Sequence, residues 1–363
     1  MRLVQIGRIS NGQSNGACPG AAHAASPLRD PSNRTIRYVR ISLTDHCNYR
    51  CTYCMPDEGA EYGARSDVLS FDELERLVRA LTLFGIADFR LTGGEPTIRR
   101  DLVDLVGRLS AIHSISGDPI RLSMTTNGEA LESLALPLFQ AGLGRLTVSL
   151  DTLDVRRFRE ITRRGDLERV VRGLDAARNA GFSPIKLNVV AIRGFNDAEI
   201  GSLCRFAWDR GIVPRFIELM PMADGRLFAP GESMSAADVR RALVEELGAE
   251  LAPDEGEGIA GLGPARYWRV TSGAYAQRRL GTIAAMTENF CSGCNRIRIS
   301  ATGQIHACLA NDAVQDLRRA LRAGDDPGVE SALRAALGEK REGHFFESNG
   351  RGGPRKPMIS IGG

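Results

Sequence analysis

A chain of 363 residues and 39.3 kDa, 43% hydrophobic and 25% charged, has the composition of a globular enzyme with one large core or two moderate ones. Lys plus Arg is 47 and Asp plus Glu 44, so a net charge of +3 is too small to specify a nucleic-acid partner, and no apolar run predicts a membrane span. Eight cysteines with no secretion signal argue against the disulfide framework of a small secreted domain and for metal chemistry.

Residues 1–33 are rich in Gly, Ala, Ser and Asn without helical or strand period, which predicts a disordered extension in which Cys18 has no role. From Arg37 to Glu218, short apolar strands alternate with helical segments, the pattern of a parallel sheet with crossover helices. Six units are expected, with strands near Val39–Leu43, Phe89–Leu91, Leu122–Met124, Leu146–Ser149, Ile185–Val190 and Arg215–Ile217. Ser70 and Glu73 form a capping-box signature for a helix that repeats Leu74, Leu77, Val78 and Leu81 on one face. Each strand runs into unusual residues. Cys47, Cys51 and Cys54 (C-x3-C-x2-C) follow the first, Gly93-Gly94-Glu95 the second and Thr125-Thr126-Asn127-Gly128 the third. Ser149 and Asp151 end the fourth, Lys186 and Asn188 lie in the fifth, and Glu218 to Pro221, with Met220, close the sixth. In β/α barrels these strand ends converge on one pocket, so the motifs predict a single site. Cys204 reads as a core thiol, and His23, His46, His113, His306 and His344 as structural or exposed.

Past Ala223 the rhythm stops. A helix is expected over Ala236–Leu247, then a loop over Ala252–Gly263, strands at Tyr267–Val270, Ile297–Ser300 and Gln304–Ala307, and two helices from about Val314 to Leu337. Here lies a second trio, Cys291, Cys294 and Cys308. Three thiolates per group suit an iron-sulfur cube with one iron open to a small molecule, although Cys291, Cys294 and Cys308 with His306 also fit structural zinc. Arg296 and Arg298 alternate so as to share one strand face beside Cys294, and such guanidinium forks suit phosphate oxygens. With Arg40, Arg90, Lys186 and Arg215 from the barrel strands, they predict an anionic, polyphosphate substrate.

The run Asp45 to Pro56, with Tyr53 directly before the third cysteine, resembles the radical S-adenosylmethionine (SAM) superfamily. That resemblance implies an open six-unit β/α (partial TIM) barrel over 34–250 whose first cysteine trio holds a [4Fe-4S] cluster. It also implies a SAM pocket formed by Tyr53, Gly93, Gly94, Glu95, Ser149 and Met220. The second motif, C-x2-C-N-R-x-R-x-S with Cys308 and a terminal Gly362-Gly363, narrows the resemblance to the GTP 3′,8-cyclase family of molybdenum cofactor biosynthesis, from about Asn33 onward. The narrower resemblance implies a 251–363 extension with a second [4Fe-4S] cluster. GTP would be contacted by Arg40, Arg90, Thr125, Lys186, Arg215, Arg296, Arg298, Gly362 and Gly363, and the catalytic residues would be Cys47, Cys51, Cys54, Arg296 and Arg298. It further implies a reductant such as flavodoxin or ferredoxin, a downstream cyclic pyranopterin monophosphate synthase and a cytoplasmic setting, and it allows a homodimer. Two other readings stand beside it: a radical SAM peptide maturase with an auxiliary cluster, and a non-catalytic metal-binding protein.

Overall fold

A computed structural model describes residues 25–56, 59, 62–223, 230–254 and 263–361. Six parallel strands, β1 (Tyr38–Ser42), β2 (Asp88–Thr92), β3 (Arg121–Thr126), β4 (Arg145–Ser149), β5 (Lys186–Ala191) and β6 (Val213–Glu218), lie side by side in chain order. Crossovers are made by α1 (Phe71–Thr82), α2 (Leu102–Ser110), α3 (Leu131–Gln140), α4 (Val155–Thr162), α5 (Leu167–Asn179) and α6 (Ile200–Asp209). The capping box at α1 forms as its residues predict, with Ser70 accepting from Glu73 N and the Glu73 carboxylate accepting from Ser70 N. Leu74, Leu77, Val78 and Leu81 face the core, and Cys204 is buried in α6.

The later segments are α7 (Ala236–Leu247), β7 (Leu251–Pro253), β8 (Arg266–Val270), β9 (Arg279–Ile283), β10 (Arg296–Ile299), β11 (Gln304–His306), β12 (Gln315–Asp316), α8 (Arg318–Ala323), α9 (Asp326–Gly338) and α10 (Met358–Ile361). They do not form a separate sheet. β9 pairs parallel with β6 and β10 parallel with β1, so the order becomes β12-β11-β10-β1-β2-β3-β4-β5-β6-β9-β8-β7 and the sheet stays open. β9 and β10 are neighbours in sequence but flank opposite edges of the six-strand core. The segment 284–295, which carries Cys291 and Cys294, therefore crosses from the C-terminal end of β9 to the N-terminal end of β10 and spans the opening between the two edges.

β7, β9 and β12 were not expected; the loop foreseen over Ala252–Gly263 begins inside β7, and β12 occupies the start of the span foreseen as helical from Val314, so that α8 begins only at Arg318. The expected disorder of residues 1–33 also fails over 25–33. Leu28 is fully buried, Ile36 N donates to Leu28 O, and Asp30 pairs with Arg34, whose guanidinium also donates to Cys291 O at 2.6 Å. One apolar side chain and one ion pair anchor a stretch whose composition alone reads as unstructured. Residues 1–24, with Cys18 and His23, lie outside the described residues.

Candidate active site

β1 ends at Ser42, and the chain carries the first cysteine run across the C-terminal rim of the barrel. The turn after β2 fixes it there: Gly94 N donates to Thr44 O at 2.7 Å and Glu95 N to His46 O at 2.9 Å. Only glycine permits this approach. A Cβ on Gly93 would stand 2.4 Å from Thr44 O, and one on Gly94 2.1 Å from His46 O. From beneath, the amides of Arg50 and Thr52 donate to the carbonyls of Thr162 and Ile161 at the end of α4, both at 3.0 Å.

Glu95 is buried and tied into the same rim. Its Oε1 accepts from Thr97 N, Thr97 Oγ1 and Thr126 Oγ1, whereas its Oε2 accepts from Asn127 N at 2.6 Å and keeps lone-pair capacity. Burial raises its carboxyl above the usual range. Tyr53 donates its hydroxyl to Asp151 Oδ2 at 2.7 Å, and burial pushes Asp151 up to about 6. The thiols respond in the same way: burial pushes Cys47 up to about 11, Cys54 up to about 12 and Cys51 well above its ordinary value. Such thiols give up their protons when a metal takes the proton's place.

The second trio occupies the opposite rim. Arg296 is in register with Tyr38 at the start of β1, Arg37 N donates to Asn295 O, and the antiparallel register of β10 with β11, Arg298 opposite His306, carries Cys308 to the same level. A five-residue strand separates the rims by about 15 Å. Burial raises Cys291, and it would raise Cys294, but the charges of Arg296 and Lys340 outweigh it and bring Cys294 down to about 7.

Between the rims lies a belt of cations. Arg298, Arg40 and Arg90 are in register on three adjacent strands, and Lys186 and Arg215 face them from β5 and β6. Burial, then the neighbouring Arg298, pushes Arg40 well below its ordinary value, and its buried Nε has no hydrogen-bond partner among the described residues. Burial lowers Arg298 to about 10 and, reinforced by Arg215 and Arg90, Lys186 to about 7. Arg90 is held by Tyr38, Thr125 and Thr147, and Arg215 by Asn188, so hydroxyls and amides position these guanidiniums. Among the described residues no carboxylate pairs with Arg40, Arg90, Lys186, Arg215 or Arg296. Gly281, in register with Arg215, leaves room for that side chain, since a Cβ there would meet Arg215 Cγ at 2.9 Å.

One cavity of about 350 Å³ joins these parts. It is lined by all six cysteines of the two trios, by Tyr53, Gly93, Gly94, Glu95, Ser149 and Met220, and by Arg40, Arg90, Thr125, Lys186, Arg215, Arg296 and Arg298. Gly362 and Gly363 lie outside the described residues, but Met358 of α10 also lines the cavity and Ile361 is buried. Among the described residues no three His, Cys, Asp or Glu side chains gather closely enough to hold a single metal ion. A cube ligated at three corners needs its sulfurs on three separate irons, and two cysteine trios at the walls of one cavity fit that donor set.

Sequence reasoning missed several of these residues. Tyr38 lines the cavity two positions before Arg40, and strand alternation could have found it. Burial raises its phenol, but Arg90 and Arg40 outweigh that and leave it below its ordinary value. His344, expected to be structural or exposed, lines the cavity and contacts Ala285 O at 2.6 Å. His306, expected to be structural or exposed or a partner for zinc, is fully buried, both ring nitrogens lack a hydrogen-bond partner among the described residues, and burial lowers it to about 4. Lys340, overlooked among the three lysines, touches Cys294.

Residues 41–207 match the Radical SAM superfamily and residues 212–346 match Molybdenum Cofactor Synthesis C. The chain is 42% identical over 325 residues to a GTP 3′,8-cyclase of Pseudomonas putida (strain W619), covering 89% of this chain and 94% of that one. It is 44% identical over 326 residues to a GTP 3′,8-cyclase of Rhodopseudomonas palustris (strain ATCC BAA-98 / CGA009), covering 88% and 90%. Among solved structures, Streptococcus suis SuiB bound to S-adenosylmethionine superposes with a TM-score of 0.57 at 17% identity over 83% of this chain and 68% of that one, a likeness of fold. With the barrel, both cysteine trios and identity along nearly the whole chain in agreement, the protein belongs to the GTP 3′,8-cyclase family of the radical SAM superfamily.

Proposed function

We propose that the protein converts GTP to (8S)-3′,8-cyclo-7,8-dihydroguanosine 5′-triphosphate, the first step of molybdenum cofactor biosynthesis. The observation that carries this reading is a single cavity with a cysteine trio at each rim and a belt of cations between them, of which Arg40, Arg90, Lys186, Arg215 and Arg296 have no carboxylate partner among the described residues. Residues 34–250 supply the radical-generating half, where Cys47, Cys51 and Cys54 hold a [4Fe-4S] cluster. When bound, that cluster and SAM supply a 5′-deoxyadenosyl radical. Tyr53, Gly93, Gly94, Glu95, Ser149 and Met220 would hold SAM, and Glu95 Oε2, with lone-pair capacity left, could accept from its ammonium. Residues 251–363 supply the substrate half, where Cys291, Cys294 and Cys308 would hold a second [4Fe-4S] cluster whose open iron could bind the guanine.

Arg40, Arg90, Lys186, Arg215, Arg296 and Arg298 bind the triphosphate, and Thr125 adds a hydroxyl. Buried charge-assisted bonds contribute about 1.5 to 3 kcal/mol each, enough together to hold the ribose C3′–H toward the first trio and C8 toward the sugar. The reading also calls for a cytoplasmic protein reductant, such as flavodoxin or ferredoxin, and a cyclic pyranopterin monophosphate synthase downstream. Anaerobic reconstitution followed by assay against GTP, ATP and a precursor peptide tests it. Cyclised product from GTP alone is expected, and peptide modification without GTP turnover would instead indicate a maturase.

Lys186 gives the reading a pH signature. Its ammonium is half-populated near pH 7 in the free cavity, and a polyphosphate favours the charged form, so GTP binding draws in a proton. Affinity is therefore greatest below pH 7 and falls as pH rises through the free value, by up to about tenfold per pH unit until the raised value in the complex is passed. Anaerobic calorimetry in buffers of differing ionisation enthalpy reads this proton uptake. Lys186→Met binds more weakly and loses the slope, whereas an unchanged slope in that variant would remove Lys186 from the site.

The tail supplies another test. Ile359 and Ile361 are buried, the backbone of Ile359 lies against the Cys54 thiol, and Met358 lines the cavity, so the chain is led to the cavity wall just before Gly362. Deleting Gly362 and Gly363 is expected to lower cyclised product at least tenfold while iron content stays constant. Full turnover in the shortened chain would leave the two glycines without a role.

A further inference from the structure

Lys340 follows α9 and is one of three lysines among 47 basic residues. It is 4% exposed, yet among the described residues it has no carboxylate partner. Its Nζ donates to Arg296 O at 3.0 Å and to Ala307 O, and lies 3.6 Å from Cys294 Sγ. One ammonium thus ties together the first residue of β10, the residue before Cys308 and the sulfur of Cys294. Withdrawing an ammonium from water is costly unless an anion compensates it, and two neutral carbonyls do so only in part. The anionic chemistry within its reach is the Cys294 sulfur, as a thiolate or as a cluster ligand. Hydrogen bonds to sulfur and local positive charge both stabilise the reduced, more negative state of an iron-sulfur cluster.

We propose that Lys340 is a positioning residue of the second cluster, donating an N–H···S hydrogen bond to Cys294, clamping the segments that present Cys294 and Cys308, and raising the cluster's reduction potential. This rests on the reading of the second trio as a cluster site. Arg296 reaches the same sulfur at 3.8 Å, but among the described residues only Lys340 joins that sulfur to both neighbouring backbone segments.

The test uses the full chain carrying Cys51→Ser, so that the second cluster is seen alone. Iron is counted and the potential titrated anaerobically by electron paramagnetic resonance, with Lys340 intact and as Lys340→Gln, Lys340→Met and Lys340→Arg. With Lys340 intact, about four irons are expected. Gln and Met are expected to shift the potential to more negative values, and Arg to restore it. If removing the charge costs the cluster itself, iron disappears from the Gln and Met variants and stays in the Arg variant, which also supports the proposal. An unshifted potential in Lys340→Gln, or equal iron loss in all three variants, overturns it. Absence of iron with Lys340 intact overturns the cluster assignment itself, and the iron count tells that failure from the failure of Lys340.

Discussion

Cys51→Ser is expected to abolish both 5′-deoxyadenosine formation and GTP cyclisation, leaving a folded chain with roughly half its iron. The fold survives because Cys51 sits in a turn held by backbone hydrogen bonds, Cys54 N and Met55 N to Cys51 O at 3.0 Å, which serine retains. Chemistry is lost because a serine oxygen is a poor substitute for a thiolate at iron, and two remaining cysteines do not hold a cube open at one corner. The loss should exceed a thousandfold, equivalent to a barrier increase of more than about 4 kcal/mol. Anaerobic turnover with dithionite, following 5′-deoxyadenosine and iron together, measures it. Residual cleavage of SAM at a tenth of the wild-type rate would detach Cys51 from the first cluster.

Gly94→Ala is expected to be damaging, though less so, without touching a ligand. Its new methyl would stand 2.1 Å from His46 O, and backbone, unlike the end of a flexible side chain, cannot swing aside. Overpacking of this kind costs about 3 kcal/mol or more. Relief requires moving Thr44 to His46, and with them Cys47. First-cluster iron and 5′-deoxyadenosine should fall at least tenfold, with the second cluster intact. Gly107→Ala is the control: no atom lies within 4 Å of its added methyl, so α2 should be unharmed or slightly stabilised. Full cluster loading in Gly94→Ala would show that the rim tolerates displacement.

The barrel was legible because short apolar segments, β1 to β6, recur between helical segments, and because its reactive residues sit where parallel strands end. The rest of the sheet was not. β9 is Arg279–Ile283 with a glycine in its centre, a poor strand by composition. Its value is tertiary, since Gly281 opens space for Arg215, a side chain more than sixty residues earlier in the chain. The opposite-rim placement of the two trios was equally hidden. It follows from β9 and β10 joining opposite edges of one sheet, which local periodicity does not encode. Arg296 and Arg298 were readable from alternation beside a cysteine pair. Lys340 was not, since a single lysine after a helix ordinarily reads as a solvated cap, and only packing brings it to Cys294.

The division of labour between the rims is tested most directly in Cys294→Ser, with 5′-deoxyadenosine and cyclised nucleotide quantified side by side under anaerobic, reducing conditions after iron has been counted. Cys294 lies at the N-terminal rim, away from the Gly94 turn and the first trio, so the serine variant should keep the first cluster and continue to form 5′-deoxyadenosine from SAM, while cyclised GTP falls below detection. Cyclisation at the wild-type rate in that variant would contradict the assignment of the second trio to the substrate.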